Sequence, residues 1–388
     1  MDDNPARAII GTILRHDRKV TSYKLALIRS INDVAGSFPA LAQLGDRARV
    51  AIPLRMLAEW WVAYYWPFAG GAYPLLQGAV AGGKQDISFR PALAELRSAL
   101  EGAFGAAIAP ADGFYLRSEL RIARRRALYG ERVLAAYEAA LRAIMRALEM
   151  PIRYAGPAGR EWSVFPRPAR LAADDPSVAA LPGAQPGEPC LLVGAELWAA
   201  FQSLSGWIEA LCIHEWCLFT EALERAHGGA ADRGDVFRLL TARPDNRRPL
   251  DWERHSVDLL LQEGAVFICP WTERRIDRTE PYDLDHLVPL AVYPTNELWN
   301  LLPADPSFNQ RAKRDRLPSA ERLGRAAPHL LRSYGLYLGS QRLGGALRDD
   351  ALLRFELPPG AALAPAGLAD AVVAFVGQLA GARNLARF

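Results

Sequence analysis

Seven prolines between positions 157 and 189 constrain this chain most: Pro157, Pro166, Pro168, Pro176, Pro182, Pro186 and Pro189. A proline ring removes a backbone donor and clashes with the preceding helical turn, so none of them belongs inside a long helix or a central strand. Residues 151–189 are therefore loop, with room for short strands only, and they separate two regions of helical periodicity. Upstream, Leu27, Ile28, Ile31 and Val34 recur at helical spacing after Ser22 and Tyr23. The apolar run from Arg47 to Trp66 predicts a second helix, carrying Trp60, Trp61, Tyr64, Tyr65 and Trp66, and two more are expected over 114–129 and 131–148. Gly and Pro clusters at 68–84 and 105–113 punctuate them. Downstream, Leu197, Phe201, Leu204, Ile208 and Leu211 form one stripe of a long helix that ends near Ala226, before Gly228 and Gly229.

The polar stretch up to Pro249, with Arg243, Asp245, Asn246, Arg247 and Arg248, reads as a linker, and helix returns after Arg322 to end in Leu368, Val372, Val376 and Leu379. The expected order is a helical region 1–150, a proline-rich segment with a buried helix and linker 151–250, a small α+β domain 251–320 and a helical region 321–388. The fold class is mainly α with a small α+β insert.

With 388 residues, 51% of them apolar, the chain can bury sizeable cores in two or three domains. A formal charge of +3 favours polyanions only weakly. Cys190, Cys212, Cys217 and Cys269 form neither a disulfide framework nor paired CxxC knuckles, which suits a reducing cytoplasm. Met1-Asp2-Asp3-Asn4 lacks the order of a secretory leader. The apolar stretch Leu197–Leu223 is interrupted by Glu209, His214, Glu215 and Glu221, each costly in lipid, so no membrane span is expected. His214-Glu215 opens like a zinc-protease helix, but Leu218 stands where the second His would be, and Cys212 and Cys217 read as core thiols and His214 as a hydrogen-bonded histidine rather than a metal site. The aromatics from Trp60 to Trp66 read as core rather than a base-stacking platform.

The chemistry concentrates between Phe267 and Pro318. Tyr282, Leu284, Leu287 and Val288 are the apolar anchors of a short strand that carries Asp285 and His286. A turn at Pro294, Thr295 and Asn296 leads to Asn300, and Pro306-Ser307 opens a helix bearing Asn309 and Lys313 on one face. Asn300 follows Asp285 by 15 positions (285 to 300) and Asn309 follows His286 by 23 (286 to 309).

This ordered set resembles the HNH, or ββα-metal, nuclease family, and most closely the HNH domain of RNA-guided CRISPR nucleases. Those nucleases share both spacings and the Lys-x-Asp-x-(Leu/Val)-Pro-Ser form seen here in Lys313 to Ser319. The resemblance covers about 50 residues and implies a ββα nuclease domain with helical regions around it. It also implies that Asn300 braces the loop and orients His286, and that Lys313 or Arg311 contacts a phosphate.

The residues themselves point to the same chemistry. Hydrolysing a phosphodiester needs a deprotonated water and charge neutralisation at phosphorus. His286 can take a proton near neutral pH. Neighbours on a strand face opposite ways, so Asp285 can hold a metal from behind while His286 faces the water. Asn309 offers an amide oxygen as second ligand. One carboxylate and one amide leave the other positions to water and phosphate, as Mg²⁺ or Mn²⁺ prefers. Many family members carry His where Asn309 stands, and many have zinc knuckles around the site. Only Cys269 remains here, so no structural zinc is expected. Trp271, Trp299 and Ile276 are expected to pack the domain instead. Lys313 also follows Asn309 by four positions rather than the commoner three.

Arg274, Arg275, Arg278, Arg311, Arg314 and Arg316 flank the site as candidates for phosphate contact. Arg121, Arg124, Arg125 and Arg126 form a second basic run, read equally well as a DNA contact or a solvated face. The expected activity is a DNA endonuclease that nicks, in a bacterial restriction or antiphage setting where other subunits can be partners. The alternatives are a DNA-binding regulatory subunit without activity, or an RNase or nuclease toxin.

Overall fold

A computed structural model of the chain describes residues 5–42, 44–70, 75–79, 86–104, 109–156, 160–172, 175–242, 250–356, 363–382 and 386–388. They form two compact units: Met1–Arg117 with Arg125–Arg243, and Ser118–Arg124 with Pro244–Phe388. The fold is mainly α, with a few small sheets. Residues 243–249 of the expected linker, and 71–74, 80–84 and 105–108 of the expected Gly and Pro clusters, lie outside the described residues.

In the first unit the helix Tyr23–Ser37 is buried along nearly its whole length and packs on Leu54–Tyr65, Glu131–Arg153 and Ser205–Ala226. A helix without a solvated face belongs to the centre of its unit. Trp60, Trp61, Tyr64, Tyr65 and Trp66 are all buried, as a core cluster should be.

The helix expected from Arg47 starts late. Arg49–Pro53 is instead strand β1, one of the two inner strands of a four-stranded sheet with β2 (Ala169–Arg170), β3 (Val178–Ala180) and β4 (Pro189–Gly194), in the order β2-β4-β1-β3. β4 runs antiparallel to β1, with Val50 opposite Val193, and β3 runs parallel to it. The short apolar run Val50–Ile52 fits a buried strand as well as a helix. Pro53 then sits just before the helix Leu54–Tyr65, where a missing N–H costs nothing. The proline-rich segment thus supplies β2 and β3, each only two or three residues long.

Two expected helices are each a pair. Leu204 breaks the downstream stripe into Ala195–Ser203 and Ser205–Ala226, in a context of Ser203, Ser205 and Gly206 that holds a helix weakly. The segment expected over 114–129 is Asp112–Arg121 followed by Ala123–Arg126. The helix from Glu131 runs on to Arg153, and the polar stretch after Gly229 contains the capped helix Arg233–Leu240.

In the second unit the helix Asp251–Gln262 precedes a hairpin of β5 (Phe267–Ile268) and β6 (Arg275–Ile276). Strands β7 (Asp283–His286) and β8 (Leu301–Ala304) follow as an antiparallel pair. The short helix Pro306–Phe308 then runs into a π turn over Asn309–Lys313. The helices Ala320–Gly339, Leu343–Leu352 and Pro365–Ala382 share one core with these strands. Trp299 packs edge-on against Phe355 and Phe375, and Phe267 against Tyr337. Ile276 is fully buried in that core and Trp271 lies half-buried against it. The Tyr334 hydroxyl donates to the Trp299 carbonyl at 2.6 Å and the Tyr337 hydroxyl to the Leu301 carbonyl at 3.0 Å, which fixes β8 against the helix Ala320–Gly339. Leu368, Val372, Val376 and Leu379 are wholly buried in the same core. Among the described residues no helix is long and apolar enough to cross a membrane.

Candidate active site

Strand β7 carries the site, and its pairing is set by alternation: Asp283 faces Ala304, Leu284 faces Pro303, Asp285 faces Leu302 and His286 faces Leu301. Asp283 and Asp285 share one face, and the turn of residues 306–313 lies against it. The Asp305 carboxylate caps that turn by accepting from the Ser307 and Phe308 amides at 2.8 and 3.3 Å. Cys269 is buried at its start, its sulfur accepting from the Asp305 amide at 3.3 Å. The Asn309 amide then donates to Asp283 Oδ2 at 3.2 Å, and so does that of Gln310.

One turn later Lys313, 1% exposed, donates to Asp285 Oδ1 at 3.0 Å and to the His286 carbonyl at 2.6 Å. The other Asp285 oxygen accepts from the Trp271 indole at 3.3 Å. Burial pushes the Asp285 carboxyl up from its ordinary range, and the Lys313 ammonium pulls it back down. The four-residue spacing of Asn309 and Lys313 has a structural counterpart. The turn between them closes with the Arg314 amide on the Asn309 carbonyl at 3.0 Å, an i to i+5 bond that takes one residue more than an α-helical turn. It ends at Arg314 with φ of 51°, in the left-handed region that a branched or long side chain seldom adopts.

His286 faces the other way. Its Nε2 lies 2.8 Å from Asn296 Oδ1, and Asn296 Nδ2 donates to Glu119 Oε1 at 3.0 Å. Asn300, fully buried, closes the loop after β7. Its Oδ1 accepts from the Val288 amide at 2.7 Å, and its Nδ2 donates to the Val288 carbonyl at 3.0 Å and the Thr295 carbonyl at 3.4 Å. The side chain thus continues the strand pairing where the backbone leaves it.

The candidate set is therefore brought together in two groups. Asp285, Asn309 and Lys313 meet on one face of β7, joined by Asp283, while His286 and Asn300 serve the loop on its far side. Among the described residues no group of three or more His, Cys, Asp or Glu side chains could hold a metal ion. The oxygen donors of Asp283, Asp285 and Asn309 nevertheless suit a hard divalent cation that keeps several waters.

The flanking arginines divide by exposure. Arg275, Arg278, Arg311 and Arg314 are exposed. Arg274 pairs with Glu280 and, at 3.6 Å, with Asp305, and Arg275 pairs with Asp277 at 3.1 Å. Such partly exposed pairs are worth about 0–1 kcal/mol and open readily for a stronger anion. Arg316 is half-buried and donates to the Ala312 carbonyl.

Of the second basic run, Arg126 is exposed and Arg121 partly so, whereas Arg124 and Arg125 do not form a solvated face. Arg124 is held in ion pairs with Glu253 at 3.2 Å and Asp350 at 2.6 Å, and Arg125 is buried. Asp283, Trp271, Asn296 and Glu119 are bonded to this set or to one another, and the sequence motif does not single them out. Asp283 could be found by strand alternation, two positions before Asp285; Glu119 has no local signal.

These features are those of an HNH endonuclease domain, and the family model described as HNH endonuclease matches residues 269–319. That domain makes nucleic acid the substrate class and hydrolysis the reaction class, and HNH nucleases as a group depend on a divalent metal. A second family model, described as a domain of unknown function (DUF8808), matches residues 3–240, more than half of the chain, and the chain belongs to that family. No curated protein and no solved structure matches it.

Proposed function

We propose that the chain is a DNA endonuclease in which His286 takes the proton of the attacking water. Asp285 and Asn309, with Asp283 beside them, would hold Mg²⁺ or Mn²⁺. The observation that carries this reading is the convergence of Asp285, Asn309 and Lys313 on one strand face, with His286 next in the chain but turned to the opposite side. Bound there, a divalent cation would neutralise charge at phosphorus and on the leaving oxygen.

The protein's own residues do the rest. Asn300 holds the loop after the base. Lys313 acts through Asp285 and the His286 carbonyl, keeping the carboxylate and the strand in register. Arg275, Arg278, Arg311 and Arg314, all exposed, would meet the phosphate backbone, with the less exposed Arg274 and Arg316 beside them in the chain. One such set attacks one phosphodiester at a time, so the product is a nick. An HNH domain joined to a large helical region fits a restriction or antiphage nuclease, and four free, buried cysteines fit the reducing cytoplasm.

The test is cleavage of supercoiled plasmid and of RNA by purified protein, with Mg²⁺, Mn²⁺ or EDTA, beside His286→Ala. We expect metal-dependent open-circle DNA, lost by about 10²–10⁴-fold in the variant while DNA binding persists. Wild-type cleavage by His286→Ala, or full activity in excess EDTA, rejects this site; cleavage of RNA alone rejects the substrate.

A further inference from the structure

We infer that Glu119, 177 positions before Asn296, is a positioning residue of the nuclease site that fixes the tautomer of His286 through Asn296. The inference rests on the proposed role of His286 as the base. A carboxylate oxygen that faces a side-chain amide accepts from its NH₂. The Asn296 atom facing Glu119 is therefore its NH₂, and its carbonyl oxygen is turned to His286. A carbonyl also only accepts, so His286 Nε2 must carry the hydrogen. The lone pair of the neutral ring then lies on Nδ1, the atom that takes the proton from water. Which ring nitrogen is basic is thus decided one residue away from the imidazole.

Burial gives this choice its force. Glu119 is 2% exposed, Asn296 1% and His286 7%. Reversing the amide would set two acceptors head to head at Glu119, away from water that could relieve them. The segment carrying Glu119 is itself pinned. Arg124 donates to the Asn296 carbonyl at 2.7 Å and bonds Asp350 and Glu253, and Asp350 accepts from the Leu298 amide at 2.7 Å. One guanidinium thereby fixes the backbone of Asn296 and the segment that supplies its partner. Glu119 lies outside the matched HNH residues 269–319 and inside the match at 3–240, so those HNH residues alone do not complete the site.

The experiment is ¹⁵N NMR of the histidine ring nitrogens in the full chain, above the imidazole titration range, with His286→Gln to assign the signal. Plasmid-cleavage kcat and KM are measured alongside. Wild type should show His286 with hydrogen on Nε2. Glu119→Ala should give mixed tautomers and lower kcat by about 10–100-fold, the usual loss when an orienting partner is removed, with KM unchanged. The exchange E119Q/N296D should restore both, because the glutamine amide then donates to an aspartate that still accepts from the ring. Hydrogen on Nδ1 in wild type overturns the relay. So does a Glu119→Ala protein with unchanged tautomer and kcat, or an exchange that folds without restoring the Nε2 form. The ring signals decide the relay even in a protein that cuts nothing, so its failure is separate from failure of the nuclease reading.

Discussion

Arg124→Met tests whether the run Arg121–Arg126 is structural or meets DNA. The guanidinium joins two carboxylates, Glu253 with its side chain 0% exposed and Asp350 at 2%, at 3.2 and 2.6 Å. Methionine keeps most of the apolar length and takes the guanidinium away from both acids. Breaking a buried pair by removing one partner costs about 3–5 kcal/mol, because the remaining charge stays desolvated. The cost should depend on pH in a defined direction. Burial already pushes the Asp350 carboxyl up to about 7 from its ordinary 3.8, against the pull of Arg124. The folded state therefore binds a proton that the unfolded state releases near 4. This contribution to stability is full below about pH 4 and is lost as pH rises through about 7. Without Arg124 the folded pKa rises further. The variant should then lose about 3–5 kcal/mol at about pH 8 and less at about pH 5, where the Asp350 carboxyl is protonated. Urea unfolding of both proteins at the two pH values, followed by tryptophan fluorescence, measures it. A loss below about 1 kcal/mol at both, with weakened DNA binding instead, would refute the buried-hub assignment and restore a DNA contact.

Asn309→Ala should raise the Mg²⁺ concentration needed for half-maximal cleavage while DNA binding in EDTA stays unchanged; an identical metal titration removes Asn309 from the ligand set. Asn300→Ala breaks three hydrogen bonds in a fully buried loop and should lower stability by about 1–3 kcal/mol, read as a reduced urea midpoint; an unchanged midpoint means the loop does not depend on it. On supercoiled plasmid, open-circle DNA should build up before linear DNA. Val372 and Val376 are wholly buried within their own unit, so this face of the last helix is not an interface for pairing two sites; linear product without a nicked precursor, from protein monomeric by light scattering, refutes single-strand cleavage.

The residues that were legible in the sequence are those whose partners lie within a few turns of chain. Asp285, His286, Asn300 and Asn309 occur at spacings that a strand, a loop and a turn can bring together, and the core role of Trp60 to Trp66 follows from their crowding alone. The misread elements share another property: their state is decided by a partner elsewhere. Val50–Ile52 is a strand because Leu191–Val193 lies beside it, and nothing in so short an apolar run distinguishes it from the start of a helix. Arg124 looks like part of a basic face until Glu253 and Asp350, each more than a hundred positions away, take up its charge. Lys313 shows the intermediate case. Its extra position after Asn309 looked like a departure from the family, and the π turn absorbs that residue while still delivering the ammonium to Asp285. Glu119 lies at the far limit. A glutamate near the end of a helix carries no mark of its role, because that role exists only once Asn296 has turned its amide between the carboxylate and the imidazole. Nuclease motifs record the groups that touch the phosphate and the metal. The groups that decide which lone pair does the chemistry can come from anywhere in the chain, and here one comes from the region matched by the other family.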